Sequence, residues 1–145
     1  MLPTTNIEYL RQWLRQCPAI IEASRFGVNF LDDDPTGYAL YQVPSSLVYV
    51  ENVLGEEVPA EVQTINYTLA AKLAYSADIE QNLVNAGFYD AVVAWLIERN
   101  AAREFPQMVD GEVKSLVPTL PAYVVEAGSD AARYQIQIKI TYKIR

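Results

Sequence analysis

The chain lacks histidine altogether and contains a single cysteine, Cys17, among its 145 residues. Without histidine it cannot form a Ser-His-Asp triad, a Cys-His pair or an HExxH zinc site. It also lacks the side chain that most often acts as a general base near neutral pH. A single cysteine excludes an internal disulfide framework and a cysteine-based zinc cluster, and we interpret Cys17 as a small core residue.

Glycine is also sparse, and its six residues are dispersed singly, so no phosphate-binding loop is present. The run Asp32, Asp33 and Asp34 could offer oxygen ligands to a hard cation. It lacks the spacing of a calcium loop, however, and the following Pro35-Thr36-Gly37 is typical of a turn. The remaining carboxylates fall mostly in turns and on helix faces predicted to be exposed. We expect no catalytic, cofactor-binding or metal-binding site, and therefore no enzyme.

Long apolar runs are missing too, because none reaches the about 18 residues that a membrane span requires. The segment 1–6 has neither the basic nor the apolar region of a secretory signal. Hydrophobic residues make up 51% of the chain and charged residues 20%, which excludes wholesale disorder. The length fits one compact domain, 1–145. We expect a soluble protein made in a cytoplasm, without a membrane partner.

Charge is unevenly distributed along the chain. Residues 1–130 carry 18 acids and 7 bases, a net charge of −11, whereas residues 131–145 carry four bases and no acid, a net charge of +4. The acidic body opposes broad binding to nucleic acid or to anionic membranes. The basic end could contact phosphate or an acidic neighbour. This distribution also suits a protein that packs against copies of itself.

Apolar periodicity predicts two helices. The first covers about 6–16 and begins with a capping box at Thr5 and Glu8. The second covers about 78–103, where Gly87 makes a kink or break plausible and Pro106 fixes the end. Its predicted buried stripe consists of Phe88, Ala91, Val92, Trp95 and Leu96.

Alternating or short apolar segments predict the strands, and prolines predict the loops. Strands are expected over 25–31, 37–43, 47–54, 61–75, 122–126 and 133–145. Segments 47–54 and 58–75 are expected to form a long hairpin, and 107–121 is expected to be a loop. The order predicts an α+β fold, a mainly antiparallel mixed sheet with a long β-hairpin and one face covered by two helices.

The last strand has the clearest alternation in the chain. Its apolar parity includes Ile136, Ile138 and Ile140, which we expect to form a core face packed against the second helix. The other parity holds the four C-terminal cations, Arg133, Lys139, Lys143 and Arg145.

Two readings of these cations remain open. They either belong to a solvated strand that is protected from aggregation, or they form an interface. As an interface they would meet acidic patches of a neighbouring subunit. The acidic turns Asp32-Asp33-Asp34 and Glu56-Glu57 are the candidate self-complementary partners.

Five segments carry a resemblance to a known family. The first runs from Ile79 to Asp90 and continues to Trp95-Leu96 and Asn100, and the second runs from Asp130 to Tyr142. The others are Ile7-Glu8-Tyr9-Leu10, Cys17-Pro18 and Val28-Asn29-Phe30-Leu31. In the same order along most of the chain, they resemble a family of tailed-bacteriophage proteins described as minor capsid proteins or tail terminators. These are structural and not catalytic signatures.

The resemblance implies a structural virion protein that assembles in the bacterial cytoplasm and resides in the tail or neck. Such proteins form a hexameric ring that caps the last ring of tail-tube protein, ends its growth and provides the surface for head-tail joining. The implied partners are copies of the chain, the tail-tube protein and the head-connector or completion protein. In such a ring the C-terminal cations could also meet acidic patches of the tube protein or face the channel through which DNA passes. The alternatives are a head-completion protein, the tube protein itself, or a nucleic-acid-binding module that uses the basic C-terminal strand.

Overall fold

The structure, a computed structural model, describes residues 5–20, 26–28, 37–74, 79–109, 111–127 and 131–144. Two helices and seven strands follow one another along these residues. They are α1 (Asn6–Leu14), β1 (Phe26–Val28), β2 (Gly37–Val43), β3 (Tyr49–Glu51), β4 (Glu57–Pro59), β5 (Val62–Ala74), α2 (Ile79–Ala102), β6 (Gly111–Ala127) and β7 (Ala131–Ile144).

Five of the strands form one sheet in the order β1-β2-β5-β7-β6, and β3 and β4 pair only with each other. Every pairing in the larger sheet is antiparallel except that of β1 with β2. At the centre, β5 and β7 pair without a register shift from Val62↔Lys143 to Ala74↔Ala131. The structure confirms the predicted α+β fold with a mainly antiparallel sheet.

Both helices pack on the same face of the sheet and close one apolar core. From residue 87 to the end of α2, where its side chains are described, the fully buried ones are Tyr89, Val92 and Leu96, which recur at helical spacing. They belong to the same buried cluster as Ile136 and Ile138 of β7. The α2 stripe is rotated relative to the predicted one, because Ala91 is exposed and Phe88 and Trp95 are partly buried at the margin of the core.

Helix α1 is positioned by its capping box and by an arginine. Thr5 Oγ1 accepts a hydrogen bond from the Glu8 amide at 3.3 Å, as the sequence predicts. Arg11 makes two hydrogen bonds to the Glu8 carboxylate, each of 2.8 Å, and donates a third to the Phe26 carbonyl of β1. At the other side of the helix, the Trp13 ring lies 4.7 Å from the Trp95 ring of α2. The arginine thus joins α1 to the sheet, and the tryptophan joins it to the second helix.

Two predicted strand boundaries differ from the structure. The hairpin expected from 47–54 and 58–75 forms only between β3 and β4, whereas β5 pairs with β2 and β7. The segment 107–121, predicted as a loop, contributes most of a long strand, β6, in place of the short strand expected at 122–126. Prolines are tolerated in β6 because it is an edge strand, and the pairing with β7 shifts register next to Pro118.

Gly87 does not break the second helix, contrary to the plausible break. Helix α2 is continuous from Ile79 to Ala102. Gly87 is exposed, and a Cβ added there would meet nothing within 4 Å. The glycine therefore costs the helix backbone entropy without any packing requirement for its small size.

Replacing Gly87 by alanine is expected to stabilise the protein by about 0.5–1 kcal/mol, because alanine loses less backbone entropy in a helix and no neighbour obstructs it. The free energy of unfolding from chemical denaturation measures the effect. Ala91→Gly, at an exposed position one turn further along α2, is the matched control and should destabilise by a similar amount. A destabilised G87A would contradict a regular helix at this position.

Candidate interaction surface

A hairpin arm leaves the sheet between β2 and β5. We define the arm as residues 44–61, which contain β3 and β4. The strands pair in the register Tyr49↔Pro59, Val50↔Val58 and Glu51↔Glu57. Because a two-stranded hairpin is marginal by itself in water, its order depends on how its two ends are fixed.

The tip of the arm is a closed turn built around Asn52. Its Oδ1 atom accepts hydrogen bonds from the amides of Leu54 and Glu56, at 2.9 and 3.0 Å. Gly55 adopts a φ of +80°, the left-handed region that glycine enters at little cost. The turn therefore holds Val53 and Leu54 in a defined position at the end of the arm.

The base of the arm is fixed by Gln63, a polar side chain that is only 1% exposed. Its amide group bonds both backbone groups of Val48. The Val48 amide donates to Gln63 Oε1 at 2.9 Å, and Gln63 Nε2 donates to the Val48 carbonyl at 2.7 Å. Gln63 Nε2 also donates to the Ala60 carbonyl at 2.9 Å. One buried amide thus joins both strands of the arm to β5.

Between these two fixed ends, the arm exposes an unusual amount of apolar surface. Seven large apolar side chains on the arm and at the first position of β5 are about half exposed or more. They are Leu47, Val48, Tyr49, Val50, Val53, Leu54 and Val62. At the tip, Val53 is 102% exposed and Leu54 is 78% exposed. Large apolar side chains exposed together in one segment typically mark a site of interaction with another protein.

The arm is also uniformly acidic, with four glutamates and neither lysine nor arginine. Glu51 and Glu57 lie directly opposite each other on the paired strands, and the predicted acidic turn Glu56-Glu57 lies at the start of β4. Like charges in opposing positions destabilise a strand pair by roughly 0.2–1 kcal/mol. Within the described residues, neither Glu51 nor Glu57 has a cation at salt-bridge distance. A cation from outside the chain would relieve this repulsion.

Cations lie on the face of the five-stranded sheet that is opposite to the helices, here called the outer face. Lys139 is exposed there, between the buried Ile138 and Ile140 of β7. Lys143 is exposed further along the same strand. Lys139 lies between Asn66 of β5 and Val117 of β6, both uncharged. Lys139 and Lys143 therefore occupy one face, as their shared parity predicts.

The other predicted interface residues are placed only in part. Arg133 has a register position opposite Lys72 of β5, in phase with Lys139 and Lys143. Asp32, Asp33, Asp34 and Arg145 lie outside the described residues.

One ion pair links the base of the arm to the outer face. Lys143 Nζ lies 2.8 Å from a Glu61 carboxylate oxygen. The hydrogen bond from Lys143, together with its charge, lowers the pKa of Glu61 and raises that of Lys143. Within one chain, an acid at the base of the arm therefore already pairs with a cation of the outer face.

The exposed apolar residues of the arm are the functional candidates that sequence reasoning missed. The run 47–54 is short and apolar, a pattern that predicts a strand but does not tell whether the strand is buried or exposed. Two features distinguish it in retrospect. Pro44 precedes the hairpin and Pro59 ends its second strand, and all charges within it are acidic.

The buried titratable groups serve packing. Cys17 is 1% exposed, and burial raises the pKa of its thiol, so it is a core residue and not a thiolate nucleophile. Burial, with a smaller contribution from Tyr142, raises the pKa of Tyr67 to about 12. Tyr89, packed 5.3 Å from the Tyr134 ring, also has a pKa raised mainly by burial. These groups remain neutral at physiological pH.

A cavity of about 470 Å³ lies between the end of α2 and the start of β6, and Arg103 and Glu112 are the charged residues in its lining. No group of three or more histidine, cysteine, aspartate or glutamate residues suited to a metal ion occurs among the described residues. Within that same part of the chain, no helix is long and apolar enough to cross a membrane.

The chain matches none of the family models with which it was compared, and no curated protein is significantly similar to it.

Replacing Gln63 by leucine is expected to release the base of the arm, because the amide is lost while the apolar volume remains. The Val48 amide should then exchange its hydrogen at least tenfold faster, while the amides at the centre of β7 keep their protection. Hydrogen exchange followed by NMR measures both. Gln107→Leu, at an exposed position outside the arm, is the control. Unchanged exchange at Val48 would show that Gln63 does not fix the arm.

The Glu61 carboxyl should titrate below its ordinary pKa of 4.5 in the native protein, and Lys143→Met should return it to that value. Because the folded pKa is lowered, the pair stabilises the fold above the unfolded pKa and loses this effect as the pH falls through the folded one. NMR titration of the Glu61 side chain measures the midpoint. Lys139→Met, on the same face, should leave the midpoint unchanged; an equal shift in both variants would contradict a specific pair.

Proposed function

We propose that this protein is a structural subunit of a phage tail that assembles into a ring, ends the growth of the tail tube and forms the surface that joins the tail to the head. The observation that carries the proposal is the arm. It is an ordered and acidic extension whose large apolar side chains are about half exposed or more, on a molecule that also exposes Lys139 and Lys143 on its outer face.

The arm and the outer face are different surfaces of the same chain. A contact between two different surfaces repeats from subunit to subunit, and it closes into a ring when the rotation between neighbours permits. A ring would cover apolar surface that is costly to expose. The acidic body and the basic last strand provide the complementary charge that sets orientation and rate of docking.

The position in the tail rests on the resemblance to tail terminators. The similar segments form α2 and β7, which build the core and the outer face. The basic strand is a poor basis for a nucleic-acid-binding module, because Lys143 is paired with Glu61 and the rest of the chain is acidic. A ring through which DNA passes needs no tight DNA binding.

The decisive experiment is deletion of the gene from a phage genome that encodes the protein, followed by electron microscopy of the particles. Loss of a terminator should give tubes of uncontrolled length and heads without tails. Tails of normal length that fail to join heads would instead indicate a head-completion protein. Complete absence of tubes would indicate the tube protein.

Charge reversal of the outer face tests the same function at one residue. Lys139→Glu should reduce the number of finished particles at physiological salt by tenfold or more, because the cation is placed to meet an acidic neighbour. Arg103→Glu changes the net charge equally on another part of the surface and is the control. Normal folding of K139E, checked by thermal unfolding, together with wild-type particle counts would show that Lys139 is only solvated.

A further inference from the structure

We infer that the occupant of the arm is the outer face of a second copy of this chain, with the acidic edge of one copy against Lys139 of the next. This inference rests on the ring proposed above, and it names the partner surface within that ring. Four observations lead to it.

The first observation is that apolar side chains on both sides of the arm are about half exposed. Tyr49 and Val50 are successive residues of a strand, so their side chains point to opposite sides of the hairpin. Their exposures are 52% and 49%. Beyond them, the Asn52 turn presents Val53 and Leu54 to solvent in a fixed position. An ordered tip loses little entropy when it docks, which favours association.

The second observation is charge. The acidic edge, Glu51, Glu56 and Glu57, has no cation at salt-bridge distance among the described residues, and Lys139 has no acid there. Lys139 has uncharged neighbours on both adjacent strands. The two unneutralised groups therefore complement each other.

The third observation is direction. Strand β5 leads away from the arm as it runs from Val62, opposite Lys143, to Asn66, opposite Lys139. Lys143, the cation nearer to the arm, is already paired within the chain, because its Nζ atom lies 2.8 Å from the Glu61 carboxylate. Lys139 lies further from the arm along β7, where the arm of another copy can contact it. The Glu61 pair is thus a local example of the contact expected between copies.

The fourth observation is that the edges of the sheet are poorly suited to pair with an additional strand. At one edge, β1 has three residues. At the other, β6 contains Pro118 and Pro121 and has several register shifts. Prolines and bulges block the addition of a further strand. The arm is therefore expected to pack on the face of the neighbouring sheet and not to extend it.

Cross-linking between two differently labelled chains tests this contact. One chain carries Val53→Cys at the tip of the arm. The other, labelled with ¹⁵N, carries Thr141→Cys, two residues from Lys139 on the outer face. The native Cys17 is 1% exposed and does not compete for a bismaleimide. A third chain with Val109→Cys, exposed outside both surfaces, is the control.

Mixed chains are treated with bismaleimide, both as concentrated purified protein and in cells that assemble tails, and the joined peptides are quantified by mass spectrometry. We expect the V53C–T141C product to exceed the V53C–V109C product at least tenfold. Adding E57K to the V53C chain, or K139E to the T141C chain, should each reduce it, and combining the two should restore it. Equal yields with the control, or no restoration by the exchanged charges, would overturn the inference.

The outcome is separable from that of the gene deletion. A specific cross-link together with tails of normal length after deletion would refute the terminator role and leave the contact standing. Overgrown tails without a specific cross-link would refute the contact alone.

Discussion

The antiparallel pairing of β5 with β7 determines where the other elements lie. It continues without a shift over the whole of β5, so each side chain of one strand has a defined neighbour on the other. Ile136 and Ile138 are fully buried on the helix side, and Lys139 is exposed on the opposite side. A slip of one residue would exchange these two sets and place lysines in the core. The apolar alternation of β7 therefore fixes both the core and the outer face in one step.

The same strand also determines where the arm begins. Strand β2 pairs with β5 only from Val43↔Asn66 to Gly37↔Lys72, and β5 extends beyond this region to Val62. The residues between β2 and β5 are too many for a tight turn, and they form a second, smaller hairpin. Gln63 lies in the part of β5 that β2 leaves unpaired, and its buried amide replaces the missing strand partner. The arm is thus supported by the sheet without belonging to it.

Local rules predicted the elements in which local and tertiary preferences agree. The capping box at Thr5, the period-two pattern of β7 and the long strand β5 follow from residue spacing alone. The rules failed where context changes the cost of a residue. Prolines exclude a central strand but not the edge strand β6, and one glycine does not break a helix as long as α2. The exposure of the arm is a tertiary property, since an apolar run has the same pattern whether it is buried or projects into solvent.

The attachment through Gln63 makes the arm a separable unit. The amide recognises backbone groups of Val48 and Ala60, and backbone groups are the same for every residue except proline. Residues 49–59 can therefore vary in sequence, and even in length, while the scaffold and its core remain unchanged. Natural variants and designed chimaeras could exchange the tip as a cassette, so that recognition diverges faster than the fold that carries it.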